Sequence, residues 1–367
     1  MKDLFGGIYK DKVVFVSGHT GFKGSWLTLW LLELGAKVIG YSLDFPTKPC
    51  HFELLNLTSN FKKSFIHFEG DIRDIKKLRE VFQTYRPEIV FHLAAQSLVR
   101  RSYKRPLETF ETNVIGTVNI FEVCRESESV RVIINVTSDK CYKNREWVWG
   151  YRESDQLGGD EPYSASKACS EIITGCYRKS LFSNSKPLKL LASVRAGNVI
   201  GGGDWAEDRL IPDIVKATNK GTKALIRNPN SVRPWQHVLE PLSGYLLLGQ
   251  RLLEGREDFA DAWNFGPDES CNLSVAELAK KSKAYWNMID YEFTKEPSNL
   301  RESEILKLDC SKANSLLKWR PLWDIDKAIK MTINWYKNYY LNKKIGTKAD
   351  LREYVNEARR KNYEFTK

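Results

Sequence analysis

With 367 residues, 42% of them hydrophobic and 28% charged, the chain is long enough for a doubly wound α/β domain plus a smaller second one. It has no apolar run of about 18 residues, no apolar core behind Met1 and Lys2, and seven cysteines without a CxxC pair; these argue against a membrane span, a signal peptide, a disulfide framework and a zinc or other metal site, and a cytoplasmic location is expected. The net charge of +11 is spread over basic residues mixed with acids and enriched only after Lys327, which predicts a solvated surface with a few phosphate-binding arginines and neither a nucleic-acid nor a membrane partner.

Val13-Val14-Phe15-Val16-Ser17 is the first predicted strand. It runs into Gly18-His19-Thr20-Gly21-Phe22-Lys23-Gly24, and Trp26, Leu27, Leu29, Trp30, Leu31 and Leu32 then repeat as a helix lying on a sheet. In this GxxGxxG spacing Gly18 allows a tight turn and Gly21 lets backbone N–H groups approach a pyrophosphate. Gly24 lets the helix pack on its strand, with the helix N-terminus facing the phosphates. Gly18, Thr20, Gly21, Phe22, Lys23 and Gly24 are therefore candidate dinucleotide contacts.

Lys37 to Ser42 reads as the second strand, and a carboxylate at its end would grip the ribose diol of NAD. Ser42 stands where that acid is expected and Asp44 follows on the same side, although Asp44 can equally just start a turn before Pro46. No arginine lies nearby to hold a 2′-phosphate, so NAD is favoured over NADP. Phe65 to Phe68 is the third strand, ending at Asp71 and Ile72, where Asp71 suits the adenine amino group. A helix over Ile75 to Tyr85 and a strand over Glu88 to Leu93 follow. Leu93, Ala94, Ala95 and Gln96 would let a cofactor lie against the backbone, while His92 reads as a satisfied structural histidine. Asn113, a further cofactor candidate, begins an amphipathic helix over Val114 to Glu126.

Val132 to Val136 is a buried strand that stops abruptly in Thr137-Ser138-Asp139-Lys140-Cys141-Tyr142. Downstream, Tyr163 and Lys167 lie four residues apart and so share one helix face. A phenol near an ammonium has its charged form stabilised and serves as a base. The βαβαβ alternation specifies a Rossmann-type doubly wound parallel sheet over residues 1–190, also receiving segments near 235–265. Residues 191–345 are expected to form a smaller, interwoven C-terminal α/β substrate domain, and 346–367 a basic C-terminal extension of no assigned function. Within that half, Leu188 to Val194 is a strand delivering Arg195 and Asn198 to the cleft. Helices are expected over Ile211 to Thr218, Leu239 to Leu253 and Asp324 to Tyr340, with strands at Ala224 to Ile226 and Trp263 to Gly266. Arg233, beside Trp235, offers its fork to a diphosphate or else forms a structural ion pair.

The Rossmann pattern with Tyr163-x-x-x-Lys167 resembles the extended short-chain dehydrogenase/reductase superfamily, and within it the CDP-glucose 4,6-dehydratases. The resemblance runs from about Gly6 to Trp323. Its most specific pieces are Thr137 to Tyr142, Asn144 to Tyr151, Pro162 to Lys167, Ala196 to Trp205 and Arg233 to Val238. It implies NAD, with Thr137 also at the cofactor, and CDP-glucose held by Ser97, Arg195, Asn198, Arg209, Arg233 and Arg301. It also implies a homodimer or homotetramer joined through the helices beginning near Asn113 and Tyr163. Near Leu300 the family pattern has His-Glu-Ala where this chain has Arg301-Glu302-Ser303. That departure weakens nucleotide contacts there, although an arginine still suits a phosphate.

The chemistry implied is a dehydration. Oxidising C4 of a hexose makes the C5 hydrogen acidic and the C6 hydroxyl a β-leaving group. By resemblance Tyr163 takes the C4 hydroxyl proton, Lys167 supports it and holds the nicotinamide ribose, and Ser138 bonds the C4 oxygen. Asp139, protonated, serves the departing C6 hydroxyl, and Lys140 is either the base at C5 or a charged partner of Asp139. Related dTDP-glucose and GDP-mannose dehydratases carry Asp-Glu at this pair, and simple epimerases carry no such pair. The competing readings are a dehydratase or 4-epimerase for another nucleotide sugar, and a non-catalytic nucleic-acid binder on the same fold.

Overall fold

The computed structural model describes residues 1–294 and 305–367. Its centre is a seven-stranded sheet made of β1 (Val13–Ser17), β2 (Lys37–Ser42), β3 (Phe65–Glu69), β4 (Ile89–His92), β5 (Val132–Val136), β6 (Leu190–Ala196) and β7 (Ala262–Phe265). The strands run in the order β7-β6-β5-β4-β1-β2-β3, and every pairing is parallel. Parallel strands covered on both faces read as continuous apolar runs, and β5 and β6 are buried at every position. The chain builds β2 and β3 on one side of β1, then crosses to β4 on the other. The crevice for a ligand opens at that reversal, beyond the strand C-termini.

The helices that surround or extend this sheet include α1 (Phe22–Glu33), α2 (Ile75–Tyr85), α3 (Val99–Lys104), α4 (Gly116–Glu126), α5 (Pro162–Cys176), α6 (Leu210–Lys220), α7 (Leu239–Leu253), α8 (Val275–Tyr285), α9 (Ile325–Asn342) and α10 (Thr347–Arg360). On one face α1, α7 and α10 share a core with Val14, Val16, Ile134 and Val194. On the other, Leu78, Phe82, Ile120 and Phe121 of α2 and α4 cover Phe15, Val90 and Ile133. The substrate half has its own core, built around Trp205, Ile214, Trp235, Leu278, Trp286, Ile329 and Trp335.

The bounds of α2 and α7 match their apolar periodicity. Asn113 lies instead in a wide helical turn, Glu111–Ile115, ahead of α4. β6 lies wholly in the dinucleotide sheet, so a boundary at residue 190 cuts away one of its strands. The basic C-terminal stretch is also part of that domain. Leu351, Tyr354, Val355 and Ala358 of α10 are buried in its core, and Phe365 stacks on Phe5 at 5.3 Å. Thr347 Oγ1 bridges the His51 ring (2.9 Å) and the Trp335 indole N–H (2.9 Å), tying this segment to both halves.

Candidate active site

At the turn after β1, Gly18 has a φ of +74°, and a Cβ there would come within 2.7 Å of the Ala94 nitrogen. Only glycine fits. α1 starts at Gly21 with no side-chain cap and no acid in its first turn, so its N–H groups and positive dipole end are open to an anion. Leu93, Ala94 and Ala95 form a partly open bed beside them, and Gln96 is buried below. This uncapped terminus beside small residues fits a dinucleotide pyrophosphate.

The sequence candidates around it divide into those that line the crevice and those that build it. Ser42 accepts from the Thr20 N–H (3.2 Å) and hydrogen-bonds the His19 ring (2.9 Å), while Thr20 Oγ1 donates to the Asp44 carbonyl (2.7 Å). That leaves the exposed Asp44 carboxylate, not Ser42, as the acid at the rim. Asn113 clamps Gln96 through both backbone groups (2.8 and 3.0 Å) and donates to Ser166 (2.9 Å), so it shapes the bed rather than facing it. The Ile72 side chain is buried in the core, against Gly116. Asp71 pairs with Arg73 at 2.6 Å. His92 is buried with both ring nitrogens bonded, to Ser17 (2.7 Å) and Thr117 (3.1 Å).

Beyond β5 the backbone turns through Asp139–Cys141, capped by Ser138, whose hydroxyl accepts from the Lys140 N–H (3.2 Å) and donates to Asp139 Oδ1 (3.0 Å). Asp139 Oδ2 is buried and has no hydrogen-bond partner among the described residues. Burial raises the Asp139 carboxyl above its usual value; Lys140, the Ser138 bond, Lys23 and Arg233 act in the opposite direction without reversing it. Gly197 borders the same carboxyl, and a Cβ there would sit 3.3 Å from Oδ2.

Tyr163 enters from α5. Pro162 opens the helix and Glu161 caps it, accepting from the Tyr163 and Ser164 N–H groups at 2.7 and 2.8 Å. Ser102 of α3 also accepts from the Tyr163 N–H (3.2 Å), which holds the first turn in place. Burial pushes the phenol up to about 12, while contact with the Ser138 hydroxyl and the charge of Arg209 favour the phenolate. Lys167 lies one turn on, its Nζ donating to the Val136 carbonyl (3.3 Å), and burial pushes it down to about 8. The cation acting on Tyr163 is thus Arg209, which sequence spacing does not reveal.

The position of Lys23 places it with the cofactor loop, yet its amine interacts with Asp139, Arg209 and Lys167. Burial lowers it to about 8, with Asp139 opposing and Arg209 and Lys167 reinforcing the shift. The available signal was a cation in the first turn of a helix, where the macrodipole disfavours it.

Two expectations fail. Arg195 does not reach the cleft: it is 2% exposed, and its guanidinium donates to Glu171 at 2.9 and 2.8 Å, to the Tyr142 hydroxyl at 2.6 Å and to the Glu153 carbonyl at 3.1 Å. All three of its nitrogens are bonded within the protein, because strand alternation turns this side chain toward α5. Thr137 likewise turns its hydroxyl onto Glu171 and the Val194 carbonyl. Asn198 is half-buried past β6, Ser97 is exposed after β4, and Arg209 pairs with Asp204 at 2.8 Å. The charge of Arg233 acts on Asp139, and its guanidinium donates to the Val232 carbonyl at 2.9 Å. Arg301 lies outside the described residues.

A phenol, a carboxyl raised above its usual range, a hydroxyl and several amines thus converge at the sheet's C-terminal edge, beside a dinucleotide crevice. Residues 15–332 match the GDP-mannose 4,6 dehydratase family, and the chain belongs to that family. A CDP-glucose 4,6-dehydratase from Salmonella typhimurium is 47% identical over 362 residues, covering 96% of this chain and 98% of the relative. A UDP-glucose 4-epimerase from Mycoplasma genitalium is 26% identical, covering 90% of this chain and 98% of the epimerase. Among solved structures, a dTDP-glucose 4,6-dehydratase from Bacillus anthracis in complex with NAD aligns with a TM-score of 0.74 at 20% identity, covering 89% of this chain and 97% of that one. It shows the shared fold.

Proposed function

We propose that the protein is an NAD-dependent hydro-lyase that converts CDP-glucose to CDP-4-keto-6-deoxyglucose and water. The observation that carries this is the Asp139 carboxyl: buried, raised in pKa, with one oxygen unsatisfied and Lys140 next to it. A 4-epimerase has no leaving group to protonate and no need of such an acid. The name of the 47%-identical relative supports the nucleotide and the hexose. By the family resemblance, the Asp-Lys pair at 139–140 stands where dTDP-glucose and GDP-mannose dehydratases carry Asp-Glu.

The uncapped N-terminus of α1, the Leu93 to Ala95 bed and the Asp44 carboxylate would hold NAD, which would supply a hydride acceptor for C4 and, once reduced, a hydride donor for C6. Tyr163 accepts the C4 hydroxyl proton. It can do so only as the phenolate, which burial disfavours and which the Ser138 hydroxyl and the Arg209 charge favour. Ser138 also bonds the C4 oxygen, and Lys167 orients the ribose. Lys140 accepts the C5 proton, and Asp139 donates to the C6 hydroxyl as it leaves. Arg209 and Arg233 hold the diphosphate.

Leu107 and Ile115, ahead of α4, and Ile172, on α5, are exposed apolar residues at 70, 52 and 60%. They support a homodimer through these helices. No helix among the described residues is long and apolar enough to cross a membrane, and the free cysteines suit a reducing cytoplasm. The test is incubation with CDP-glucose, read by mass for loss of one water, alongside dTDP-, UDP- and GDP-sugars. Water loss only from another nucleotide's sugar would replace the substrate, and epimerisation without water loss would reject the reaction.

A further inference from the structure

We propose that Asp208 is an internal stand-in for the substrate's diphosphate, and that the two arginines it gathers, Arg100 and Arg227, pass to a phosphoryl group when the nucleotide sugar binds. This rests on the nucleotide-sugar reading above and adds to it a competitor built into the chain.

Three segments converge here. Arg100 comes from α3, on the dinucleotide half, Asp208 from the loop before α6, and Arg227 from just beyond the strand Ala224–Ile226. Arg227 Nη2 donates to Asp208 Oδ1 at 2.7 Å, and Arg100 Nε lies 3.7 Å from that same oxygen. This Nε is buried and has no hydrogen-bond partner among the described residues. It is a donor aimed at an acceptor just out of reach.

Position links the trio to the chemistry. Ser102, two residues past Arg100, bonds the Tyr163 N–H at 3.2 Å. Arg209, the neighbour of Asp208, favours the Tyr163 phenolate and is itself tied to Asp204 at 2.8 Å. Through these neighbours the trio borders the proposed hexose site.

Charge and strain point the same way. Two guanidiniums share one carboxylate, so the trio keeps one positive charge in excess. A diphosphate brings two negative charges and enough oxygens to bond both forks. Asp208 is held at a φ of +57°, the left-handed region that costs a non-glycine residue energy. Half-exposed ion pairs of this kind are weak, so exchange for a phosphoryl oxygen is favourable.

The test measures CDP affinity by calorimetry, and KM and kcat for CDP-glucose, in Asp208→Asn and Arg100→Met. Removing the internal competitor should tighten CDP and lower KM by about threefold to fivefold. Losing Arg100 should weaken both by about tenfold. The changes should fall on KM and not on kcat, and Asp208→Asn should gain little once Arg100 is gone. Asp208→Gly suits the left-handed backbone and should reproduce the tightening if Asp208→Asn folds poorly. CDP binding that is unchanged or weaker in a folded Asp208 variant overturns the proposal. Should the wild-type chain dehydrate no nucleotide sugar at all, it is the functional reading that fails.

Discussion

Glu171 and Asp139 are two buried carboxyls on either side of the end of β5, and they behave in opposite ways. Burial alone would raise both. Glu171 is nevertheless held below the usual carboxylate range, because the Arg195 fork fills both its oxygens and Thr137 and Ser193 donate to it as well. Asp139 receives one hydrogen bond, from Ser138, and stays raised although Lys140, Lys23 and Arg233 surround it. What separates a structural anion from a proton donor here is therefore the buried Arg195 charge together with the number of filled lone pairs, not burial.

The largest test of this contrast is Arg195→Met, which leaves the Glu171 charge buried without its partner. Such a loss costs about 3–5 kcal/mol, so the melting temperature should fall steeply. A variant that melts normally and loses only nucleotide-sugar affinity would return Arg195 to the substrate-binding role its sequence position suggests.

Asp139→Asn should fold at least as well as the wild type while turnover drops by about 10²- to 10³-fold. Reduced nicotinamide should then accumulate, because oxidation at C4 survives and elimination does not. Equal losses of both steps would break the assignment of Asp139 to the leaving hydroxyl.

The subtlest difference lies in pH. Glu171, with a lowered folded pKa, contributes stability that is present above the ordinary carboxyl range and lost as pH falls through its folded value. Asp139, with a raised one, contributes stability that is present below that range and lost as pH rises through its folded value. Melting curves across this window should show Asp139→Asn gaining on the wild type toward neutral pH and the deficit of Glu171→Gln shrinking toward acid. Parallel curves would mean that the two groups titrate alike.

Much of the dinucleotide half is written in local pattern. The apolar run of β1, the glycine spacing and the helix periodicity of α1 and α2 each depend on near neighbours, although Gly18 is required by the Ala94 backbone as well as by its own positive φ. The same holds for Tyr163 and Lys167, whose shared face follows from helix geometry. Other features were hidden by distance along the chain. α10 carries its apolar residues at helical spacing, but its basic residues dominate the composition, and its partners Phe5, Trp30 and Trp323 lie far upstream or before α9.

By itself the sequence determined the sheet, the helix faces and the set of acid, base and hydroxyl groups at the end of β5, because those follow from periods of two and 3.6 residues. Tertiary structure alone decided which of those groups work as acids, which cation faces Tyr163 and where Arg195 spends its charge. Protonation is set by desolvation and by partners brought together across the fold, such as Glu171 with Arg195 and Tyr163 with Arg209, and no local pattern encodes that.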